Sequence, residues 1–479
     1  MEEMIPQLKT HRYSWVKNSG AGLTIVFLAI LLLGYLIVRK DLPLLTSKKI
    51  NPSALNITLL TTIPEKYDSF VGNGTFYFSP DGKRVAYQLY KENAQQMIID
   101  GMPHKEYEKI GYPFTYFSPD SKHFVYPAQV GKRHFIVLDG QESEPFGSIT
   151  IPEFTANGKL IFKAWQNGNY YLVEGDEKRG PFVSLDSLVL SRNKKHFAYI
   201  ARETYNDKGF SVILDNKIIG THTLVKDLTF SESGEVLAYY AFESNGLGWE
   251  DFIVVGDKKN YLNKHNFYDD IIDIKYTTYS LALNHDGSKY VYAIEKDDGD
   301  HLVIDGKVSD HRFDTISEIT FSLDGQRLAY VGSNAREDAD KDEKNYVVID
   351  GIIHGPYKYA GDPTFSNDST MFAYKYTPQG TNNGVVALDG KDIVVYENAE
   401  FDIYDFVGNS KQLVLRGTYY PDIEKPLYNK NFISIGSKNT DIYDWAGGPG
   451  YFSTDGKKFY FGAKDNNNIF LVEVELDKI

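Results

Sequence analysis

The chain contains no cysteine among its 479 residues. This absence excludes disulfides, thiolate zinc sites, iron–sulfur clusters, a cysteine nucleophile and a lipid anchor attached through cysteine. Basic residues are in the minority, 51 against 65 acidic ones, and no basic run longer than a short pair occurs. Because nucleic-acid phosphates are bound by clustered Lys and Arg, we expect no nucleic-acid partner.

Motifs of catalysis and metal binding are also missing. The 11 histidines form neither His-Glu-x-x-His nor His-x-His, and the sequence has no Gly-x-Ser-x-Gly nucleophile elbow and no GxxxxGK phosphate loop. We therefore predict no catalytic residues, no cofactor and no metal site. What the chain has in quantity is aromatic side chains, 36 Tyr and 29 Phe, which favour an all-β fold.

One long apolar segment lies near the N-terminus. Residues 18–38 contain no charged side chain and lie between Lys17 and Arg39-Lys40. About 20 apolar residues are needed to cross a bilayer as a helix, and no small-residue cleavage pattern follows this segment. We predict a tail at 1–17, a transmembrane helix at 18–38 and a linker at 39–55. Basic residues flank the segment on both sides, so charge does not determine its orientation.

The rest of the chain repeats one unit. An apolar residue followed by a polar turn, as in FSPDG, occurs ten times, at Phe78, Phe117, Phe154, Leu190, Phe230, Leu283, Phe321, Phe365, Phe406 and Phe452. The 374 residues from the first copy to the last give nine intervals with a mean near 42. A period of about 40–45 residues is typical of propeller blades.

Each copy contains the same short strands. An alternating strand such as Arg327–Tyr330 follows the turn, and a second strand ends in Asp-Gly, as at Asp350-Gly351. Asp-Gly between apolar runs predicts a hairpin, because glycine adopts positive φ without steric conflict. With a weaker strand leading to the next copy, each unit has four strands. The sequence therefore predicts an all-β fold, a β-propeller array of about ten four-stranded blades over 56–479.

The motif FSPDGKRVAY at Phe78–Tyr87 resembles the repeat of TolB-type, WD-repeat-like bacterial propellers. The resemblance covers about residues 56–479 and is weaker at Leu190 and Phe406, where the Pro-Asp-Gly signature is lost. It implies a propeller that works in the bacterial cell envelope.

Two arrangements of the ten blades remain open. The last copy lacks an outermost strand, which the segment Asn56–Ile63 could supply. Because propellers usually have 4–8 blades, two five-bladed rings are favoured over one large ring. The longest interval, 53 residues between Phe230 and Leu283, gives a possible split near 258–270.

The repeated Asp of the turns serves the blade in our interpretation, because it recurs in copy after copy. The loops between second and third strands, which are longer from the fourth copy onward, are the candidate binding face, although drift of surface loops also explains their length. The acidic loop near 338–342 begins like a calcium loop, but Glu343 and Ile349 break that pattern. The candidate residues are Trp249, Glu250, Asp297, Asp300, Asp338, Asp340, Asp342, Tyr419 and Tyr420.

We therefore expect a single-pass protein of the cell membrane, held in the lipid bilayer by 18–38, with its propeller outside the cytoplasm. In this hypothesis the propeller is a non-catalytic binding or scaffolding module for a protein or glycan. The alternative is a glycosidase-like or lactonase-like propeller hydrolase that uses carboxylates at the central channel.

Overall fold

The computed structural model describes residues 48–479 apart from 64–68, 71–75, 92, 112–114, 207–208, 245–247, 267–278, 297–298, 335–343, 408–411, 422–428, 437 and 454. The predicted transmembrane helix at 18–38 lies outside the described residues. Within them, no helix combines the length and the apolar character that crossing a bilayer requires. Residues Thr46–Ile479 form one compact unit.

This unit contains ten β-sheets that follow one another along the chain and are antiparallel apart from the parallel pairing of β1 with β41. The described residues also include short 3₁₀ helices at Pro52–Ala54 and Leu476–Lys478. The strands up to the fifth sheet are β1 (Lys48–Lys49), β2 (Leu55–Thr62), β3 (Ser69–Phe70), β4 (Phe76–Phe78), β5 (Val85–Lys91), β6 (Ala94–Ile99), β7 (Met102–Tyr107), β8 (Lys109–Ile110), β9 (Tyr116–Phe117), β10 (Phe124–Val130), β11 (Arg133–Leu138), β12 (Gln141–Glu142), β13 (Ser148–Ile149), β14 (Glu153–Phe154), β15 (Leu160–Gln166), β16 (Asn169–Glu174), β17 (Glu177–Phe182), β18 (Ser184–Leu190), β19 (Phe197–Arg202), β20 (Phe210–Leu214), β21 (Lys217–His222), β22 (Leu224–Phe230), β23 (Leu237–Ser244), β24 (Gly248–Val255) and β25 (Lys258–Asn266).

The last five sheets continue the pattern. Their strands are β26 (Tyr279–Leu283), β27 (Tyr290–Lys296), β28 (Gly299–Ile304), β29 (Lys307–Phe313), β30 (Thr315–Phe321), β31 (Leu328–Asn334), β32 (Lys344–Ile349), β33 (Ile352–Tyr357), β34 (Tyr359–Phe365), β35 (Phe372–Thr377), β36 (Gly384–Leu388), β37 (Lys391–Tyr396), β38 (Ala399–Phe406), β39 (Leu413–Tyr419), β40 (Lys430–Ile435), β41 (Lys438–Asn439), β42 (Trp445–Phe452), β43 (Lys458–Asp465) and β44 (Asn468–Glu475).

Each sheet is one blade, and its strands pair in the order of the chain, as in β34-β35-β36-β37 of blade eight, except that β1 joins blade nine and β2 joins blade ten. In blades one to three the first strand is divided into two short pieces that both pair with the second strand. All ten predicted copies, including those at Leu190 and Phe406, begin on the last residue of a first strand. The prediction of ten four-stranded blades is confirmed.

The Asp-Gly hairpins have the conformation that the sequence predicts. At the end of β32, Asp350 has φ 52° and Gly351 has φ 81°. Two successive positive φ values define the type I′ turn, which matches the twist of the strands it joins. The Asp350 carboxylate also accepts hydrogen bonds from the backbone N–H of Leu328, at 3.1 Å, and from Arg327 Nε, at 2.8 Å. The side chain therefore connects the turn to the start of β31.

The blades form a single ring. Among the described residues, ten hydrophobic clusters occur, one at each junction between consecutive blades and one between blade ten and blade one. The junction between blades five and six contains Tyr240 and Ile253 packed against Tyr292 and Val303, like the other junctions. First strands of neighbouring blades contact each other, so they lie nearest the ring axis.

The described part of the segment near 258–270, residues 258–266, is a strand of a blade. Lys258–Asn266 is strand β25, which pairs with β24 from Val255↔Lys258 to Gly248↔Asn266 as the outer strand of blade five. Residues 267–278 lie outside the described residues. The usual number of blades favoured two rings, but blades five and six pack against each other as neighbours in a single ring.

The N-terminal strand completes blade ten, as expected for Asn56–Ile63. Strand β2 pairs antiparallel with β44, from Leu55↔Val474 to Thr62↔Asn468. Ile63, which follows β2, is 7% exposed and packs with Phe78 of blade one and Ile469 of blade ten. Strand β2 and the C-terminal strand β44 are therefore held in one sheet, which protects an edge that would otherwise be open.

Candidate functional site

The repeated Asp of the turns is a structural group. In blade two, Ser118 Oγ donates a hydrogen bond of 2.6 Å to Asp120 Oδ1, and the backbone N–H of Lys122 donates one of 3.2 Å to the same atom. The bond from Ser118, followed by that from Lys122, lowers the pKa of Asp120 to about 2. The same Ser-to-Asp bond recurs in other blades, as from Ser322 to Asp324. These contacts support the structural interpretation of the repeated carboxylates.

The candidate binding face is the end of the ring opposite these turns. It carries the loops between second and third strands and the segments that join one blade to the next, such as residue 358 and residues 378–383, and we call it the loop face. Of the residues predicted for it, Asp297, Asp338, Asp340 and Asp342 lie outside the described residues.

Trp249 and Asp300 are buried rather than displayed on this face. Trp249 lies in β24, is 7% exposed and packs against Phe242, with ring centroids 5.5 Å apart. Asp300 lies in β28, is 5% exposed and accepts a hydrogen bond of 3.0 Å from the backbone N–H of Ile316. Burial raises the pKa of the Asp300 carboxyl. We expected both residues in loops between second and third strands, but they belong to β24 and β28, which pair with β23 and β27.

The remaining candidates lie closer to the surface. Glu250, also in β24, is half-buried and pairs with Glu243 across the hairpin. Tyr419 ends β39 and packs against the hydrophobic cluster between blades eight and nine. Tyr420 follows it, and its backbone N–H donates a hydrogen bond of 2.9 Å to Asn398 O.

Tyr420 lines a cleft between blades eight and nine on the loop face. The cleft has a volume of about 680 Å³. Its walls come from the end of β35, the starts of β36 and β38, and the residues at and just before the start of β34. The residues that the argument uses are Lys358, Tyr359, Lys375, Tyr376, Asn382, Glu400, Asp402 and Tyr420. This volume lies within the range of about 300–1,000 Å³ that is common for small-ligand sites.

A network of paired charges forms part of the cleft wall. Lys375 Nζ lies 2.7 Å from Asp362 Oδ2 and 3.6 Å from Asp402 Oδ1, and Arg416 Nε donates a hydrogen bond of 2.9 Å to Asp402 Oδ2. Although burial alone lowers it, the hydrogen bond and charge of Asp362 raise the pKa of Lys375. Lys375 is therefore protonated at neutral pH and is not a nucleophile. The network joins blades eight and nine.

Two polar pairs stand nearer the opening. Tyr420 Oη donates a hydrogen bond of 3.1 Å to Glu400 Oε2, and Lys358 Nζ donates one of 2.8 Å to Asn382 Oδ1. Burial, followed by the charge of Glu400, raises the pKa of Tyr420 to about 12, so its hydroxyl stays protonated. The cleft thus presents hydroxyl, amide, ammonium and carboxylate groups on aromatic walls.

The prediction from sequence did not find Lys375 or Arg416, although a signal was present. Both lie ten residues after the apolar residue that begins the turn motif, where blades four and seven have Ile200 and Val331 and blade five has Tyr240. A charge at a position that is uncharged in the other copies marks a departure from the repeat. Aligning the copies position by position would have detected it.

No family model matches the chain, and no curated protein matches it either. Solved structures similar to the chain include several β-propellers. TolB from Acinetobacter baumannii is 14% identical, over 56% of this chain and 78% of that one, with a TM-score of 0.26. The propeller domain of the trilobed protease from Pyrococcus furiosus is 13% identical, over 60% and 95%, with a TM-score of 0.30. A eukaryotic initiation factor is 13% identical, over 79% and 92%, with a TM-score of 0.39. At these values the similarities indicate no shared activity.

Proposed function

We propose that the chain is a membrane-anchored, extracytoplasmic β-propeller that acts as a non-catalytic binding or scaffolding module for a protein or glycan. The observation that carries the proposal is the cleft between blades eight and nine. It lies on the loop face, where the repeat varies, whereas the opposite turns keep the same structural contacts in blade after blade.

The chemistry of the cleft supports binding rather than hydrolysis. A glycosidase-like mechanism uses one protonated carboxylic acid and one carboxylate placed on either side of the bond to be cleaved. In the cleft, Asp402 contacts Lys375 and Arg416, and Glu400 accepts a hydrogen bond from Tyr420. Both carboxylates therefore already have partners within the cleft wall. The hydrolase alternative, which uses carboxylates at the central channel, predicts turnover of a glycoside or lactone by the full chain, and turnover of that kind would replace our proposal.

The predicted anchor at 18–38 and the resemblance of Phe78–Tyr87 to TolB-type repeats support a place in the cell envelope. We expect an external protease to digest the propeller on intact cells and to leave cytoplasmic control proteins whole. Protection of the propeller in intact cells, with digestion after lysis, would contradict the extracytoplasmic location.

The binding function is tested with the full chain in detergent-solubilised membranes. We expect affinity capture to retain a ligand that the variant Tyr420→Ala loses. Tyr205→Ala is the matched control, because Tyr205 is 79% exposed and lies in the blade-four loop of the same face. Equal capture by the wild type and Tyr420→Ala would show that the cleft is not the binding site.

A further inference from the structure

The charges that line the cleft balance. Lys358 and Lys375 are matched by Glu400 and Asp402, so the lining carries no net charge. A charged ligand that is withdrawn from water needs an opposite charge to compensate for its lost hydration. The cleft has no excess of either sign to offer. Its charge balance therefore favours a neutral ligand.

The lining of the cleft includes both hydrogen-bond donors and hydrogen-bond acceptors. Asn382 uses its Oδ1 to accept from Lys358, and Glu400 uses its Oε2 to accept from Tyr420. In the part of the chain that the structure describes, Asn382 Nδ2 and Glu400 Oε1 make no hydrogen bond. They offer a donor and an acceptor to a ligand. A hydroxyl group can use either, because it both donates and accepts.

Tyrosine rings supply the apolar part of the walls. Tyr359 is 49% exposed, and its ring centroid lies 5.8 Å from Lys375 Nζ. Tyr376 and Tyr420 also line the cleft. A tyrosine combines an apolar ring face with a polar hydroxyl. A sugar ring has the same combination, with C–H groups on its face and hydroxyl groups around its rim.

A bound protein or peptide fits these walls less well. Strand β36 is hydrogen-bonded to β35 on one side and to β37 on the other, so it offers no free edge to which a peptide strand could be added. A folded partner commonly buries about 800 Å² on each side, over a broad surface. The cleft is instead a concave site of about 680 Å³.

We infer that the cleft binds a neutral oligosaccharide. This inference rests on the proposed binding function and names its ligand class. Tyr359 provides the stacking surface, and Asn382 and Glu400 hydrogen-bond the sugar hydroxyls. Lys375 and Asp402 hold each other in the wall and leave the net charge of the site at zero.

The experiment titrates the full chain in detergent micelles with short neutral oligosaccharides of glucose and of N-acetylglucosamine, followed by calorimetry. Short uronic acid oligosaccharides and mixed-sequence peptides are titrated in parallel. We expect saturable binding of a neutral oligosaccharide. Tyr359→Ala should weaken it about tenfold, and Glu400→Gln about fivefold. Tyr205→Ala, on the same face outside the cleft, should bind like the wild type.

The outcomes separate this inference from the function on which it rests. Binding of peptides or uronic acids alone, with loss in Tyr359→Ala, overturns the neutral oligosaccharide and leaves a binding cleft. Absence of binding to every neutral oligosaccharide overturns the inference. Neutral binding that Tyr359→Ala and Glu400→Gln leave unchanged also overturns it, because the sugar then binds elsewhere. Circular dichroism and thermal unfolding check that each variant is folded.

Discussion

The Asp-Gly hairpin of blade seven allows one structural prediction to be worked out in numbers. We consider the substitution Asp350→Ala. It removes the hydrogen-bond acceptor of the Leu328 N–H and the carboxylate that Arg327 contacts. It also places alanine in the left-handed region, at φ 52°. These three effects act on the same turn and can be separated by choosing other residues at this position.

Each effect has a characteristic size. Loss of the acceptor for the backbone N–H costs about 1 kcal/mol. The ion pair with Arg327 contributes only about 0.5 kcal/mol, because its side chains are 23% and 38% exposed. Alanine in the left-handed region costs about 1 kcal/mol. We therefore expect Asp350→Ala to lower the free energy of unfolding by about 2.5 kcal/mol.

Two further substitutions divide this sum. Asp350→Asn keeps an acceptor oxygen and tolerates positive φ, so it should lose about 0.5 kcal/mol. Asp350→Gly adopts positive φ freely but loses both contacts of the side chain, so it should lose about 1.5 kcal/mol. The expected order of stability is wild type, Asn, Gly, Ala.

The assay is urea unfolding of the full chain in detergent micelles, followed by tryptophan fluorescence. The control is Asp310→Ala, an exposed Asp of β29 for which the described structure shows no hydrogen bond or ion pair, and its effect should stay within about 0.5 kcal/mol. If Asp350→Asn were as damaging as Asp350→Ala, charge would dominate and the turn argument would be refuted. A stable Asp350→Ala variant would refute it equally.

Three other predictions test the ring and its carboxylates. Ile63→Ala should lower the free energy of unfolding by about 2–4 kcal/mol, because Ile63 packs between blades ten and one. Ile57 is 47% exposed, so Ile57→Ala should lower it by less than about 1 kcal/mol. Equal losses of the two variants in urea unfolding would contradict the packing. Asp300→Asn retains an acceptor for the backbone N–H of Ile316 and removes a buried carboxyl whose pKa is raised. The free energy of unfolding and ligand capture at pH 7 should therefore stay unchanged. Loss of capture would show that Asp300 binds the ligand. Ser118→Ala should raise the pKa of Asp120 from about 2 toward 3.8 in an NMR titration. Because the pKa of Asp120 is lower in the folded than in the unfolded chain, Asp120 stabilises the fold above pH about 4, and this stabilisation is lost as the pH falls toward 2. An unchanged pKa of Asp120 in Ser118→Ala would show that Ser118 is not the main cause of the lowered pKa.

The fold could be predicted because every blade repeats the same local requirements. The turn at Phe78 and the Asp350-Gly351 hairpin depend on residues adjacent in sequence, and their chemistry is visible in the letters. The ring closure at Asn56–Ile63 was also predictable, since the last blade lacked a strand. Whether there is one ring or two depends instead on packing between distant side chains such as Tyr240 and Tyr292, which no local pattern encodes.

The candidate site could be predicted less well, because the sequence does not show where the strands of each hairpin end. Trp249 and Asp300 were selected because they fall between second and third strands, but strand ends there are paired and buried. Loop length alone does not show how far each strand of a hairpin extends. Tyr420 was found because it lies beyond the end of β39, where the chain leaves the sheet.

In a repeated fold, a departure from the repeat marks a side chain that the blade itself does not require. Lys375 in blade eight and Arg416 in blade nine stand at a position that is Ile200 in blade four and Val331 in blade seven. A cation without a partner beside a hydrophobic junction would be destabilising. Asp402 contacts both cations, and Asp362 also contacts Lys375. The proposed binding function accounts for these charges beside the cleft.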